Sequence, residues 1–143
     1  MKCLSWNCRG LGNPTEVRAL KKLLRQHCPD IVFLMETRLK ASNSKVKSSL
    51  ICGPLSILYM NDCTISNGRR AGGLALLWNN VVNVEILQAN KNFLDMYITS
   101  SDSNLTWYAI GFYGYPYYSS KHLTCKVIQD ISLDRNNDKW LIF

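Results

Sequence analysis

The stretch IVFLME, residues 31–36, sets five apolar side chains in a row and then stops at a carboxylate. A strand with one wet face would alternate apolar and polar residues. An unbroken apolar run of this length suits a strand buried on both faces. Such a strand needs a layer above and a layer below it, so the run predicts a sheet packed on both sides. Glu36 then falls where strand gives way to loop.

Upstream, "MKCLSW" (1–6) reads as a short buried strand and "NCRGLGN" (7–13) as the loop that ends it. A helix start follows, with Asn13 as N-cap, Pro14 at the first helical position and Glu16 three residues after the cap. Val17, Leu20, Leu24 and Cys28 recur at helical spacing, the Lys and Arg residues take the other side, and Pro29 closes the helix. Downstream of a Lys- and Ser-rich loop at 40–49, the runs "PLSILYM", "GGLALLW", "VNVEIL", "FLDMYIT" and "TWYAIGFY" follow at short intervals. Turn signals such as "SNGRRAGG", "NKN" and "SSDSN" separate them, the pattern of an antiparallel meander. "SSKHLTCKVIQDI" reads as a second helix and "KWLIF" as a further strand. The order predicts an α/β domain whose sheet carries helices on its outer face. Its other face packs on a second sheet, most of which is expected to be missing, leaving apolar surface exposed.

The 143 residues fit one domain. A hydrophobic content of 47% excludes a disordered chain. No apolar run approaches the roughly 20 residues that span a bilayer, and the N-terminus turns polar too early for a signal-peptide core. An intracellular setting, cytoplasmic or nuclear, is therefore expected, with no membrane partner and no small-molecule cofactor. The six cysteines lack C-x-x-C spacing, so free, mostly buried thiols are expected rather than a zinc site or disulfide framework. "NLT" at 104–106 is formally a glycosylation acceptor without the secretory context that would use it. A net charge of +7 invites an anionic partner, nucleic acid foremost. Lys21, Lys22 and Arg25 lie on the first helix, Lys40, Lys45 and Lys47 in a loop, and Arg69 and Arg70 in a turn. A generic solvated surface accounts for that distribution as readily as a binding face does.

Three positions fall just after predicted strands: Asn7, Glu36 and Tyr113. Turn chemistry, solvation and packing respectively explain each one alone, but strand ends on one rim of a sheet are also where active sites are assembled. Glu36 has the oxygen ligand that Mg²⁺ prefers. Asn7 can hydrogen-bond a water or phosphate oxygen without adding charge. The Tyr113 hydroxyl can donate to a phosphate oxygen as negative charge builds there.

The blocks "LSWNCRGLGNP", "PDIVFLMETRL", "GRRAGGLALLW", "IGFYGYP" and "KWLIF", in that order, resemble the N-terminal endonuclease domain of plant LINE-type (non-LTR) retrotransposons. That domain is a member of the endonuclease/exonuclease/phosphatase superfamily, akin to apurinic-site endonucleases. The resemblance implies a four-layered αββα sandwich of the DNase I-like fold and Mg²⁺-dependent cleavage of a DNA phosphodiester. By motif it implies catalytic roles for Asn7 and Tyr113, with Tyr115 competing for the latter, and a metal-binding role for Glu36. Apurinic-site relatives carry an Asp where this chain has Arg9. The family's "GDFN" and "SDH" motifs, which carry the nucleophile machinery, are not in this sequence, and neither His27 nor His122 matches a catalytic position. Residues 1–143 are thus expected to be the front portion of one such domain, with its second half missing and inactive alone. The alternative is a non-catalytic, basic nucleic-acid-binding module.

Overall fold

The computed structural model describes residues 1–42, 50, 53–66, 68–103, 105–115, 117–135 and 138–143. Lys45, Lys47, Cys52, Asn104 and Pro116, which figure in the sequence reading, lie outside them. Strand β1 (Cys3–Asn7), helix α1 (Pro14–His27) and strand β2 (Ile31–Met35) come first. Strands β3 (Leu55–Asn61), β4 (Thr64–Ser66), β5 (Arg69–Ala71), β6 (Leu74–Asn79), β7 (Val82–Ala89), β8 (Phe93–Ser100) and β9 (Thr106–Phe112) follow. A 3₁₀ turn (Tyr118–Ser120) leads into α2 (Lys121–Arg135), and β10 (Trp140–Ile142) comes last.

The start of α1 forms as its residues dictate. Asn13 is extended (φ −90°, ψ 125°), and its side chain accepts a hydrogen bond from the Thr15 N–H at 3.0 Å. Pro14 sits where an N–H has no helical partner anyway. The helix ends one residue sooner than its periodicity suggests. Cys28 is a left-handed C-cap (φ 45°) whose N–H donates to the Leu24 carbonyl, so its thiol is exposed rather than part of the apolar stripe.

Among the described residues the strands form two four-stranded sheets and a small hairpin. The first sheet has the order β1-β2-β6-β3 and the second β10-β9-β8-β7, while β4 and β5 pair only with each other. β1 runs parallel to β2, joined through α1, and β10 runs parallel to β9, joined through α2. A parallel pair needs such a crossover, and the helix provides it.

β2 lies between β1 and β6, and residues 31–34 are fully buried. Val32 and Leu34 pack with Ala75 and Leu77 of β6 under Leu20 and Leu24 of α1. Ile31 and Phe33 face the other way and meet Leu94, Met96, Ile98 and Ala109 of the second sheet. On the outer side of that sheet Phe93 and Ile110 pack against Ile131 and Val127 of α2. Four layers result, helix, sheet, sheet and helix, and the chain has the α/β sandwich expected.

Two expectations are corrected. The meander does not form one sheet. β3 and β6 join β2, after which the chain crosses over at 80–81 and β7, β8 and β9 build the second sheet. That sheet therefore has four strands instead of being mostly absent, and its inner face is covered by β2 and β6. Nor are the thiols mostly buried. The five described cysteines are free, but Cys3, Cys28 and Cys125 are exposed and only Cys8 and Cys63 are buried.

Candidate active site

Because β1 and β2 are parallel and in register from Cys3↔Ile31 to Asn7↔Met35, they finish at the same rim. Asn7 is the last residue of β1, and Glu36 is the first beyond β2. β9 of the opposite sheet ends at Phe112 and sets Tyr113 across the gap. The Tyr113 and Gly114 N–H groups both donate to the Asn92 carbonyl, at 2.8 and 3.1 Å, which pins that loop to the β7–β8 turn.

The three residues meet at one oxygen. Glu36 Oε1 accepts from Asn7 Nδ2 at 3.1 Å and from the Tyr113 hydroxyl at 3.0 Å. The other carboxylate oxygen, Oε2, faces the Arg38 guanidinium at 3.5 Å. Burial alone would push the Glu36 carboxyl up, but the hydrogen bonds from Asn7 and Tyr113 and the charge of Arg38 outweigh it. The carboxyl is held below its ordinary range and is a carboxylate at neutral pH. The Tyr113 hydroxyl is pushed up to about 12 by burial and by its bond to Glu36, so it stays a proton donor.

The backbone at this rim is strained. Arg9 (φ 50°), Glu36 (φ 54°) and Arg38 (φ 55°) occupy the left-handed region, which costs a non-glycine residue about 1–3 kcal/mol. Their neighbours hold them there. Thr37 N–H donates to the Gly73 carbonyl at 3.0 Å, Arg38 N–H to Gly72 at 2.9 Å, and Leu11 N–H to Thr37 at 2.9 Å. Gly73 is required at its position, since a Cβ there would lie 2.6 Å from Thr37 Oγ1. Strain maintained by this many bonds fixes the direction of the Glu36 carboxylate.

Among the described residues no three His, Cys, Asp or Glu side chains converge as a ligand set. Glu36 is a lone carboxylate with one oxygen engaged by two donors and the other faced only by Arg38. Mg²⁺ keeps several waters and takes one or two carboxylates together with substrate phosphate, so Glu36 fits one protein ligand of such an ion. Arg38, whose side chain is 48% exposed, is free to swing from Oε2 into solvent.

Asn7, Glu36 and Tyr113 are thus brought together, and Tyr113 rather than Tyr115 reaches the carboxylate. Tyr115 is instead fixed through its backbone, its N–H donating to Thr124 Oγ1 at 3.2 Å. Arg9 contributes a backbone N–H to Asn7 Oδ1 at 3.2 Å, leaving the Asn7 amide oriented from both ends. His27 closes α1 and His122 lies in the first turn of α2, and neither bonds to the three site residues. Sequence reasoning missed Arg38. Its only signal was the spacing "ETR": residues two apart share a side of an extended segment, but that pattern alone does not bring both side chains to the rim.

A family model described as "Endonuclease/Exonuclease/phosphatase family" matches residues 4–141. No curated protein matches by sequence. The endonuclease domain of TRAS1, a telomere-specific non-LTR retrotransposon, is similar in structure with a TM-score of 0.62 at 10% identity, over 99% of this chain and 56% of that one. The 3′ phosphatase NExo from Neisseria, bound to a product DNA hairpin, has a TM-score of 0.61 at 16% identity over 99% and 56%. The human Nocturnin catalytic domain with bound sulfate has a TM-score of 0.62 at 13% identity over 95% and 60%. At such identities the likeness concerns the fold. The chain spans between 56 and 60% of the length of these structures.

Proposed function

Since the chain belongs to the endonuclease/exonuclease/phosphatase family, we propose that its rim is the phosphate-binding part of a Mg²⁺-dependent DNA phosphodiesterase site of non-LTR retrotransposon type. Residues 1–143 are, on this reading, the N-terminal portion of a single domain. The observation that carries the reading is the convergence of Asn7 and Tyr113 on one oxygen of Glu36. A Mg²⁺ ion at this carboxylate would take up charge from the phosphate during cleavage. The residues themselves divide the other work. Asn7 and Tyr113 hold the Glu36 carboxylate in place and ionised. The Tyr113 hydroxyl stays protonated, and its single O–H would pass from Glu36 to a phosphate oxygen when a cation takes its place at the carboxylate. Arg9 and Arg38 bring positive charge to the same rim, where a guanidinium suits phosphate geometry.

Orientation of the attacking water is a role no described residue at the rim fills, in keeping with the absence of "GDFN" and "SDH" from the sequence. The isolated chain is therefore expected not to nick supercoiled plasmid in Mg²⁺. Nicking that disappears in Glu36→Ala would overturn the expectation of inactivity while supporting the site. The nucleic-acid-binding reading has its own support in Arg18, Lys21, Lys22 and Arg25, which line one surface groove along α1. Duplex binding that weakens steeply with salt in a chain that never nicks is its expected signature.

A further inference from the structure

The basic groove along α1 does not simply run out into solvent. Arg25 ends the row Arg18, Lys21, Lys22 and Arg25, and the same residue borders a recess of about 250 Å³. The buried Leu24 and Leu55 line that recess with Cys28, Pro29, Gly53 and Pro54, and its wall is almost wholly apolar. The four cations are unpaired. The ion pairs among the described residues join Arg38 to Glu36 and Arg135 to Asp95, and none reaches α1.

Position separates this surface from the rim. β2 starts at Ile31 and β3 at Leu55, and both run antiparallel to β6, so they begin at the same end of the sheet. Glu36 lies past the finish of β2. The recess, at Pro29 and Leu55, is therefore at the end of the sheet opposite the rim.

A row of cations alone suits any polyanion, nucleic acid included, and the recess decides among them. A phosphate backbone gains nothing from Leu24, Pro29, Pro54 and Leu55, and among the described residues no aromatic ring lines the recess for a base to stack on. A membrane surface calls for apolar side chains that project into lipid. Those here are recessed, and none of the large exposed hydrophobic residues lies on α1. A protein segment uses both features, its carboxylates over α1 and an apolar anchor in the recess. From Arg18 to Arg25 the row covers roughly 10 Å of helix, the length of a short helical face.

We infer that this face of α1 docks an acidic segment of another protein, anchored by one large apolar side chain in the recess between Cys28 and Pro54. The site stands apart from the proposed phosphate chemistry and leaves the rim open while it is filled.

The test is selection of random helical peptides, displayed as a library, on the full chain, followed by Kd measurement by fluorescence anisotropy. Enriched peptides are expected to combine Asp or Glu at helical spacing with one Leu, Ile, Met or Phe. Replacing that apolar residue by Ala should weaken binding about thirtyfold, the size of an interface hot spot. Cys28→Phe, which fills the recess, should do the same. Lys22→Gln with Arg25→Gln should weaken binding about fivefold in dilute salt and little in concentrated salt. Both side chains are exposed, so this pair reports on docking even if Cys28→Phe fails to fold. Lys22→Glu with Arg25→Glu should shift the preference to peptides bearing Lys in place of Glu. Glu36→Gln should change none of this, so that failure of the rim reading shows in nicking and failure of the docking site shows here. A library that yields no binder, or only binders lacking carboxylates, overturns the proposal. So do binders indifferent to both Cys28→Phe and the Lys22 and Arg25 changes. Duplex DNA or anionic vesicles held through Lys22 and Arg25 while no peptide is selected would give the groove to those partners and overturn it too.

Discussion

Gly111 of β9 controls how closely the two sheets approach at the site, and replacing it with alanine tests the whole arrangement. A Cβ at this position would lie 2.5, 2.6 and 2.8 Å from three ring carbons of Phe33 on β2. Carbon atoms in good contact sit about 3.5–4.0 Å apart, so the sheets must part locally by roughly 1 Å. Phe33 is buried and braced edge-on against Phe143, with ring centroids 5.8 Å apart, which leaves the ring little room to turn aside. Overpacking of this kind costs about 1–3 kcal/mol. For a chain of this length that is a fall in Tm of roughly 3–12 °C. Gly111 stands two residues before Tyr113, and Phe33 three before Glu36. The same separation lengthens the 3.0 Å Tyr113–Glu36 bond to about 4 Å, beyond hydrogen-bonding distance. Gly111→Ala should therefore lower the melting temperature and also raise the Glu36 pKa, read by carboxyl-carbon NMR titration. Adding Phe33→Leu should restore part of both. A Gly111→Ala protein with unchanged melting and an unmoved Glu36 titration would refute the idea that this contact sets the site.

Three further outcomes are expected. Tyr113→Phe should raise the Glu36 pKa. Because the Tyr113 hydroxyl titrates higher folded than unfolded, its stabilisation is complete below the ordinary tyrosine value and lost as pH rises through about 12. The phenylalanine variant should lack that alkaline loss in a pH series of urea melts. Arg135→Met should destabilise by about 3–5 kcal/mol in the same melts, because it leaves the Asp95 carboxylate buried beneath α2 without its ion-pair partner. Burial already holds the Asp95 carboxyl above its ordinary range despite Arg135, so its contribution to stability declines as pH rises through the native value, and Arg135→Met should steepen that decline. Asn13→Ala should cost about 0.5–2 kcal/mol by unbinding the Thr15 N–H, seen as earlier loss of helical circular dichroism.

How much of this was legible in the chain depends on the range of the interaction concerned. β2 could be read because its apolar run records burial on both faces, and the N-cap could be read because Asn13 and Pro14 act within a single turn. The three candidate residues were legible as strand ends, since a carboxylate after "IVFLM" interrupts an apolar pattern visibly. The division of the meander between two sheets was not legible. "GGLALLW" and "VNVEIL" are both strand-like, and only packing decides that the first lies beside β2 and the second across from it. Arg38 and the recess beside Arg25 were missed for a similar reason, as each depends on which loops meet at one end of the sheet.

Local chemistry written into the residues thus determined where helices and strands begin, which strand is central, and which side chains were candidates for phosphate and metal. The tertiary structure alone decided that Asn7, Glu36 and Tyr113 share one carboxylate oxygen, that Tyr113 rather than Tyr115 reaches it, and that an apolar recess opens at the other end of the sheet. Turn, cap and burial preferences act between near neighbours or on a residue's own surface. A contact 77 residues apart, such as Tyr113 to Glu36, exists only once two sheets have closed against each other at a distance set by a glycine and a phenylalanine ring.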